Sequence, residues 1–301
     1  MHSSFPTSLL LLCCALTVSP TVKAQPALDA PNQSVAPENH TLTDTTSQHL
    51  LPNALFPLTQ KGVSQKQWLW GVGHSNVLDT YLSPLEYTGP HFTLLHQSER
   101  KARWGRGSVT THSLYAAHAA YLHSPTDDGK AWDGEFSAAG GWLYNWQVHP
   151  RWRLAVGGWV EVSGGFTYNT RNGNNPAQGR LGLSLNPSLL VAYRFPFFQK
   201  TATAQLQADA QLLGVQFSPF YGQSYYEIFS LGHTSGIIHF TQPGNCPTTR
   251  LQALVTLPVW GAKLTLGYLA DIRQSQLGGL KRHAWRNTFV LGYTRTLKIF
   301  R

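Results

Sequence analysis

His96 and Ser98 are the residues of this chain whose types and spacing come nearest to a hydrolytic pair. Side chains at i and i+2 of a strand share a face, so the imidazole could remove the hydroxyl proton and make Ser98 a nucleophile. Glu99 faces the opposite way and cannot orient the imidazole. No Asp, Glu or Asn occupies the neighbouring positions predicted for the same face, which are Trp68, Trp70, Thr111 and Ser113. The pair therefore lacks its third group.

Metal and cofactor chemistry finds less support than hydrolysis. His112 and His118 share a strand face but lie about 20 Å apart at 3.3 Å per residue, too far to ligate one ion. His74 and Asn76 flank Ser75 at a strand end, where adjacent side chains diverge. Cys246 is the single cysteine outside residues 1–24, which are predicted below to be a cleaved signal peptide. No disulfide within the mature chain is therefore predicted. We predict no metal and no cofactor.

The elements that would position these residues are long strands with alternating faces. From Trp132 to Tyr168 the chain alternates strictly, interrupted once at His149–Arg151. Soluble strands are usually about 5–6 residues long, and these are much longer. Their apolar faces end in aromatic residues, which is typical of a transmembrane barrel hairpin. On this basis one set of residues should face lipid: Phe136, Trp142, Leu154, Val160 and Leu206.

Ten such strands are predicted from Gln67 onward, giving a transmembrane antiparallel up-and-down β-barrel. Twelve is the alternative, if Tyr225–Leu231 and Ser235–Phe240 form a hairpin inside the longest loop. Every odd-numbered connection should be a long extracellular loop, which places both ends of the barrel in the periplasm. The predicted loops are Ser75–Gly89, His123–Lys130, Thr170–Arg180, Ser218–Pro247 and Gln274–Arg282.

The amino-terminal segment predicts export. Leu9–Val18 is an apolar core too short to span a bilayer, and Val22-Lys23-Ala24 is a plausible cleavage site. We therefore predict a signal peptide over 1–24, a flexible leader over 25–66 and the barrel over 67–301. No apolar run of 18 residues suggests a membrane helix. The predicted location is the outer membrane of a cell.

The charge balance is basic, with 23 Lys and Arg against 14 Asp and Glu and a formal net charge of +9. Removal of Lys23 with the signal peptide leaves +8. Nucleic-acid binding needs basic residues clustered on one face, whereas many here occupy predicted turns. Examples are Arg100, Lys101, Arg103 and Arg106. Anionic lipid headgroups fit this distribution, so the expected partners are outer-membrane lipid, lipopolysaccharide and the barrel-assembly machinery, without nucleic acid.

Inward-facing charges predict a structured lumen. The acids expected to point inward are Glu135, Glu161, Asp209 and Asp271, and the matching cations are Arg153, Arg194, Arg250, Arg273 and Arg286. Because an unpaired buried charge is costly, cross-barrel ion pairs are the favoured interpretation. A selective pore or a ligand site is the alternative.

The longest loop is the remaining functional candidate. Tyr221, Tyr225, Tyr226 and Phe229 supply aromatic contact area of the kind enriched in binding surfaces. The alternative is that these rings plug the barrel mouth. Sequence thus favours a non-enzymatic barrel for surface binding, structure or limited porin-like solute passage. A lipid hydrolase using the His-x-Ser pair, as in outer-membrane phospholipase and lipid A deacylase barrels, is the alternative.

Two stretches resemble a known family. They are NVLDTYLSPLEYTG at 76–89 and YGQSYYEIF at 221–229. Both are similar to an uncharacterised family of Bacteroidales-type outer-membrane proteins, domain of unknown function 3316. The resemblance covers most of 67–301 and implies a Gram-negative outer-membrane barrel. It implies no activity, ligand or catalytic residue.

Overall fold

The structure is a computed structural model that describes residues 62–173 and 175–298. The predicted signal peptide and almost all of the predicted leader lie outside the described residues. Within the described ranges the chain forms twelve strands, one short α-helix, α1 (Tyr225–Phe229), and a single 3-10 turn at Gly105–Gly107. The strands are β1 (Val63–Asp79), β2 (Ser83–Lys101), β3 (Val109–His123), β4 (Lys130–His149), β5 (Trp152–Asn169), β6 (Ala177–Phe197), β7 (Lys200–Ala210), β8 (Leu213–Phe217), β9 (Ile238–Thr241), β10 (Thr249–Val259), β11 (Ala262–Leu277) and β12 (Leu280–Lys298). No helix among these residues is long and apolar enough to cross a membrane.

The described strands close into an antiparallel barrel with ten positions around its wall, as predicted. Neighbours in sequence pair with each other from β1 to β7, β10 continues through β11 and β12, and β12 returns to β1. The two remaining strands extend the wall. The long β6 pairs with β7 along one half and with β8 along the other, and β8 pairs with β9. Thus β7 and β8 share one wall position.

The hydrogen-bond register fixes the stagger of the barrel. Ser75 lies opposite Arg286, and the same row runs through Asp271, Arg250 and Asp209 and on around the wall to Lys101. In the pairing of β1 with β2, Ser64 lies opposite Arg100, so Lys101 lies level with position 63 of β1. The row that leaves β1 at Ser75 therefore returns to β1 at position 63, an offset of twelve residues. A stagger of this size in ten strands tilts them by about 40°.

The suggested hairpin inside the longest loop was wrong. Tyr225–Phe229 is a helix, because Ser224 and Glu227 form a reciprocal capping box at its start. The Ser224 hydroxyl accepts from the Glu227 backbone N–H at 3.2 Å, and the Glu227 carboxylate accepts from the Ser224 N–H at 2.7 Å. The Ser-x-x-Glu spacing was readable in the sequence as a helix start. The strand that follows, β9, pairs with β8 instead.

Two predicted loops were much too long, and a third, Thr170–Arg180, was four residues too long because β6 begins at Ala177. The β1–β2 connection is residues 80–82, because pairing continues through Asn76 and Thr88. The β11–β12 connection is the pair Gly278 and Gly279, both with positive φ, and Leu277 lies opposite Leu280. Glycine adopts such left-handed geometry without steric cost. The remaining connections on this side are 124–129, 170–176 and 218–237.

We call the side of the barrel with these five connections the loop end. The opposite side, where β1 begins and β12 ends, is the turn end. Its connections are 102–108, 150–151, 198–199 and 260–261. The segment 102–108 is as long as a loop-end connection, so loop length separates the two ends less clearly than predicted.

Side chains alternate between an apolar exterior and a packed interior, as the sequence predicted. Phe136, Trp142, Val160 and Leu206 are each more than half exposed on the outer surface, and Leu154 is partly exposed. Aromatic rings flank the apolar surface toward the turn end at Trp68, Trp70, Trp142, Tyr144, Trp146 and Trp152, and toward the loop end at Trp132, Phe166, Tyr168 and Trp285. An apolar band between aromatic girdles is the exterior of outer-membrane barrels.

Candidate functional site

The middle of the lumen is filled by a buried apolar cluster, which we call the middle layer. It comprises Leu69, Leu95, Leu114, Ala116, Ala139, Trp159, Leu254, Leu269 and Val290. Leu69 and Leu114 have no exposed surface, and Trp159 retains 2%. Because the wall has only ten positions, side chains of this size suffice to fill the interior at this level.

A charged network fills the lumen between the middle layer and the loop end. Glu135, Glu161, Asp209 and Asp271 all point inward and are buried, as predicted. Two of these acids, Asp271 and Asp209, alternate with Arg286 and Arg250 in one cross-strand row. Opposite charges directly across neighbouring strands stabilise a sheet.

Arg286 and Arg273 join the acids across the barrel. The Arg286 side chain is fully buried and lies 2.7 Å from Asp133 and 3.2 Å from Glu135. Arg273 reaches Glu135 at 2.7 Å and Glu161 at 2.8 Å. Each guanidinium thus serves more than one carboxylate, and the network works as a unit.

Arg250 completes this part of the network, at 2.5 Å from Glu161 and 3.4 Å from Asp209. The indole of Trp159 donates to Asp209 at 2.9 Å, which connects the network to the middle layer. Cross-barrel pairing is therefore confirmed for Arg250, as it is for Arg273 and Arg286.

Sequence reasoning missed four members of the network: Asp79, Asp133, Arg180 and Arg282. Arg180 contacts Asp133 at 2.9 Å and Asp79 at 3.7 Å, and Arg282 contacts Glu135 at 3.5 Å. A signal for Asp133 was present, since it lies two residues before the inward-facing Glu135 and shares its face.

The two remaining predicted lumen cations lie toward the turn end. Arg153 pairs with Glu99 through two guanidinium nitrogens, at 2.6 and 3.2 Å. Arg194 lies with Arg153 and Lys263 in the wall of a cavity of about 100 Å³. A cavity of about 40 Å³ lies on the other side of the middle layer, beside Glu161 and Arg273. These volumes suit a few water molecules.

His96 and Ser98 lie on the outer surface of β2 without the third group that a hydrolase needs. The Ser98 hydroxyl is 2.8 Å from the Ser113 hydroxyl. The His96 ring lies against Trp68, with centroids 4.3 Å apart. Among the described residues no hydrogen bond joins His96 to Ser98 or to a carboxylate, and the nearby Glu99 is held inside by Arg153. The catalytic pair stays a prediction.

The two histidines of β3, His112 and His118, have different partners and do not form a common site. His118 lies 3.4 Å from Asp271 and shares a hydrogen bond with the Thr93 hydroxyl. His112 lies 3.6 Å from Glu99. Cys246 is buried. Within the described ranges no group of three or more His, Cys, Asp or Glu could hold a metal ion.

The aromatic residues of the longest loop divide into an anchor and an exposed set. Tyr225 packs on Tyr81 and Phe217, and its hydroxyl contacts the backbone N–H and C=O of Gly179. Burial raises the pKa of the Tyr81 phenol to about 12, so the phenol remains protonated and donates to the Gln223 carbonyl at 2.8 Å.

The exposed set is Tyr221, Tyr226 and Phe229, which are 66–76% exposed. Its binding role stays a prediction.

Charge is distributed very unequally between the ends. In residues 62–173 and 175–298, the turn-end side of the middle layer carries twelve cations and one acid: Lys66, Arg100, Lys101, Arg103, Arg106, Arg151, Arg153, Arg194, Lys200, Lys263, Arg295, Lys298 and Glu99. The loop-end side carries eight cations and ten acids: Lys130, Arg171, Arg180, Arg250, Arg273, Lys281, Arg282, Arg286, Asp79, Glu86, Asp127, Asp128, Asp133, Glu135, Glu161, Asp209, Glu227 and Asp271. The formal charges are +11 and −2.

A family model described as a protein of unknown function, DUF3316, matches residues 9–301. This chain belongs to that family. Among functionally curated proteins, none matches the chain. The match to the family model runs from the amino-terminal segment through the whole barrel.

Several solved barrels are similar in structure. The outer membrane protease OmpT from Escherichia coli shares 8% identity, with a TM-score of 0.46 over 82% of this chain and 100% of its own. The beta domain of the Bordetella autotransporter BrkA shares 14%, with a TM-score of 0.38 over 77% and 98%. Ail, the attachment invasion locus protein of Yersinia pestis, shares 10%, with a TM-score of 0.30 over 78% and 100%. All three TM-scores are below 0.5, and the fold of this chain is established by its own strand register.

Proposed function

We propose that this protein is an outer-membrane barrel that is closed to solutes and acts through its exterior and its loops. The observation that carries the proposal is the filled lumen: the middle layer and the charged network occupy the interior that a pore would need. Solute passage would require several large side chains to move together. The apolar exterior between aromatic girdles supports the membrane location.

The turn end faces the periplasm in this proposal, and the loop end faces outward. Tyr221, Tyr226 and Phe229 then form an aromatic surface on a loop supported by the barrel and anchored by Tyr225. Rigid aromatic side chains on such loops suit recognition. The role is therefore surface binding or structure without catalysis. The proposed partners are outer-membrane lipid, lipopolysaccharide and the barrel-assembly machinery, and a Bacteroidales-type origin is part of the same proposal.

Planar-bilayer conductance tests the closed lumen. Protein refolded into lipid should migrate differently on a gel before and after boiling, and it should show no steady single-channel conductance. A matched variant with Leu114→Gly and Trp159→Gly, both in the middle layer, should conduct while keeping heat-modifiable migration. Steady conductance by the unaltered protein would overturn closure, and unchanged migration on boiling would overturn the barrel itself.

Labelling of intact cells tests the orientation. Cys246 is buried, so a maleimide that cannot cross the outer membrane should report on introduced cysteines. Tyr221→Cys at the loop end should be labelled in intact cells, whereas Arg106→Cys at the turn end should be labelled only after lysis. The reverse pattern would invert the proposed topology.

A further inference from the structure

The turn end has a groove on its outer surface where the basic segment 102–108 meets the apolar wall. Its volume is about 630 Å³, and it is lined by Gly62, Val63, Arg100, Lys101, Arg103, Trp104, Thr111 and Trp142. We propose that this groove binds the phosphate of an anionic phospholipid in the periplasmic leaflet, held by Arg100 and Arg103 with Trp104 beside it. The proposal rests on the membrane placement proposed above.

The charges of the groove suit a phosphate. Arg100 and Arg103 are exposed, and neither forms a salt bridge with any residue in the described ranges. Among residues 62–173 and 175–298, the one acid on this side of the middle layer is Glu99, which points inward and is bound to Arg153. Guanidinium groups bind phosphate oxygens with paired hydrogen bonds, and basic residues near an anionic surface add about fivefold each to binding.

The shape of the groove suits a lipid rather than a soluble anion. Trp104 and Trp142 are both more than half exposed, and their ring centroids lie 6.1 Å apart. Trp142 belongs to the outward apolar face of β4. Tryptophan favours this depth because its ring is apolar and its N–H is polar. A headgroup at Arg103 would therefore have its acyl chains against the barrel wall.

Hydroxyl groups extend the polar surface from the groove along the outward face of β3. Thr111 lies opposite both Arg100 and Trp142 in the register. Ser113 is next on the outward face of β3, and its hydroxyl bonds to Ser98. Ser98 therefore belongs to a small hydroxyl-bearing patch of the outer surface, together with Ser113 and Thr111, and this accounts for it without a catalytic role.

The segment that carries the cations has a fixed shape. Gly105, Arg106 and Gly107 all have positive φ, a run that only glycine-rich turns tolerate. The Ala102 N–H donates to the Val109 carbonyl at 2.9 Å. The Asn145 backbone N–H donates to the Ser108 carbonyl at 2.7 Å, and its side chain donates to the same oxygen at 3.0 Å. The groove is therefore organised before a lipid arrives.

Lipid selectivity of the full-length protein tests the proposal. Barrel folded in nanodiscs of neutral phosphatidylcholine would be titrated with short-chain phosphatidylglycerol, and separately with phosphatidylcholine of the same chain length. Native mass spectrometry counts the bound lipids. We expect selectivity for phosphatidylglycerol that falls about 25-fold in the double variant Arg100→Gln, Arg103→Gln. The control Arg151→Gln, Lys200→Gln removes two turn-end charges from other turns and should retain selectivity.

Three results would overturn the proposal. One is equal binding of both lipids by the unaltered protein, and another is an equal loss of selectivity in the control variant. The third is displacement of phosphatidylglycerol by millimolar inorganic phosphate with the same affinity, which would make the groove a phosphate site. Trp104→Ala should weaken lipid binding while leaving phosphate binding unchanged. A separate control is gel migration, before and after boiling, of the protein folded in phosphatidylcholine. Failure to insert in this control would contradict the proposed membrane function, whereas it would say nothing about which lipid the groove prefers.

Discussion

Most of the arginines at the two ends of the barrel are used in opposite ways. At the loop end, Arg286 and Arg273 point inward and are surrounded by carboxylates, so their charge is neutralised inside the protein. At the turn end, Arg100 and Arg103 point outward, and no carboxylate of the described residues pairs with them. A buried arginine without a partner would destabilise the fold, whereas an exposed one is solvated and available to a ligand. The face on which an arginine lies therefore decides whether it stabilises the fold or binds a partner.

Removal of Arg286 should produce the largest effect, because it leaves Asp133 and Glu135 buried with one cation fewer. We expect Arg286→Ala to lower the free energy of unfolding by about 3–5 kcal/mol. Urea unfolding in lipid vesicles, followed by gel migration without boiling, measures it. Arg106→Ala, an exposed arginine at the turn end, should change stability by less than about 0.5 kcal/mol. Similar losses in both variants would contradict the difference between the ends.

A charge placed on the apolar exterior should have the next largest effect. Val160→Arg should cost about 2–4 kcal/mol if this residue lies near the membrane midplane. Thr111→Arg, on the same outer surface but beside the turn-end groove, should cost only about 0–1 kcal/mol. The same unfolding measurement serves for both variants. An equal cost at the two sites would show that the girdles do not mark the membrane boundary.

The capping box of α1 should matter locally. Ser224→Ala removes the hydroxyl that accepts from the Glu227 N–H, at a cost of about 1 kcal/mol. We expect faster proteolysis within 218–237 and no change in barrel unfolding, because the helix packs at the mouth and not in the wall. Ser230→Ala, at the other end of the same helix, is the control and should leave proteolysis unchanged. A lower unfolding midpoint for Ser224→Ala would show that the loop supports the barrel.

Ser98→Ala should have the smallest effect. Because no carboxylate among the described residues is hydrogen-bonded to His96, and Glu99 is held inside the barrel by Arg153, we expect the unaltered protein to release no fatty acid from phospholipid vesicles, and the variant to behave identically. A fatty-acid release assay on both proteins measures this. Cleavage that disappears in the variant would establish the hydrolase alternative and give the exterior of β2 a catalytic role.

The sequence predicted the barrel well because its signal is local. Each face of β4 and β5 could be assigned by counting every second residue, and Glu135 and Glu161 lie inside as expected. The prediction from sequence failed where two local patterns in the same segment favoured different structures. The polar residues of 75–89 and 274–282 suggested loops, although pairing continues through most of both segments. At 225–231 alternation was preferred over the Ser-x-x-Glu helix start, and the helix was missed.

The sequence by itself determined which residues face inward, because strand geometry alternates regardless of what surrounds it. It therefore determined that charges enter the lumen and that arginines crowd the turns. Only the tertiary structure decided which charges meet. The pairing register of β10, β11 and β12 places Asp271 between Arg250 and Arg286, and the closure of ten strands brings Arg273 within reach of Glu135 and Glu161. The groove beside Trp104 also depends on tertiary structure, since its lining comes from β1 to β4 and the segment 102–108, and no single segment contains it.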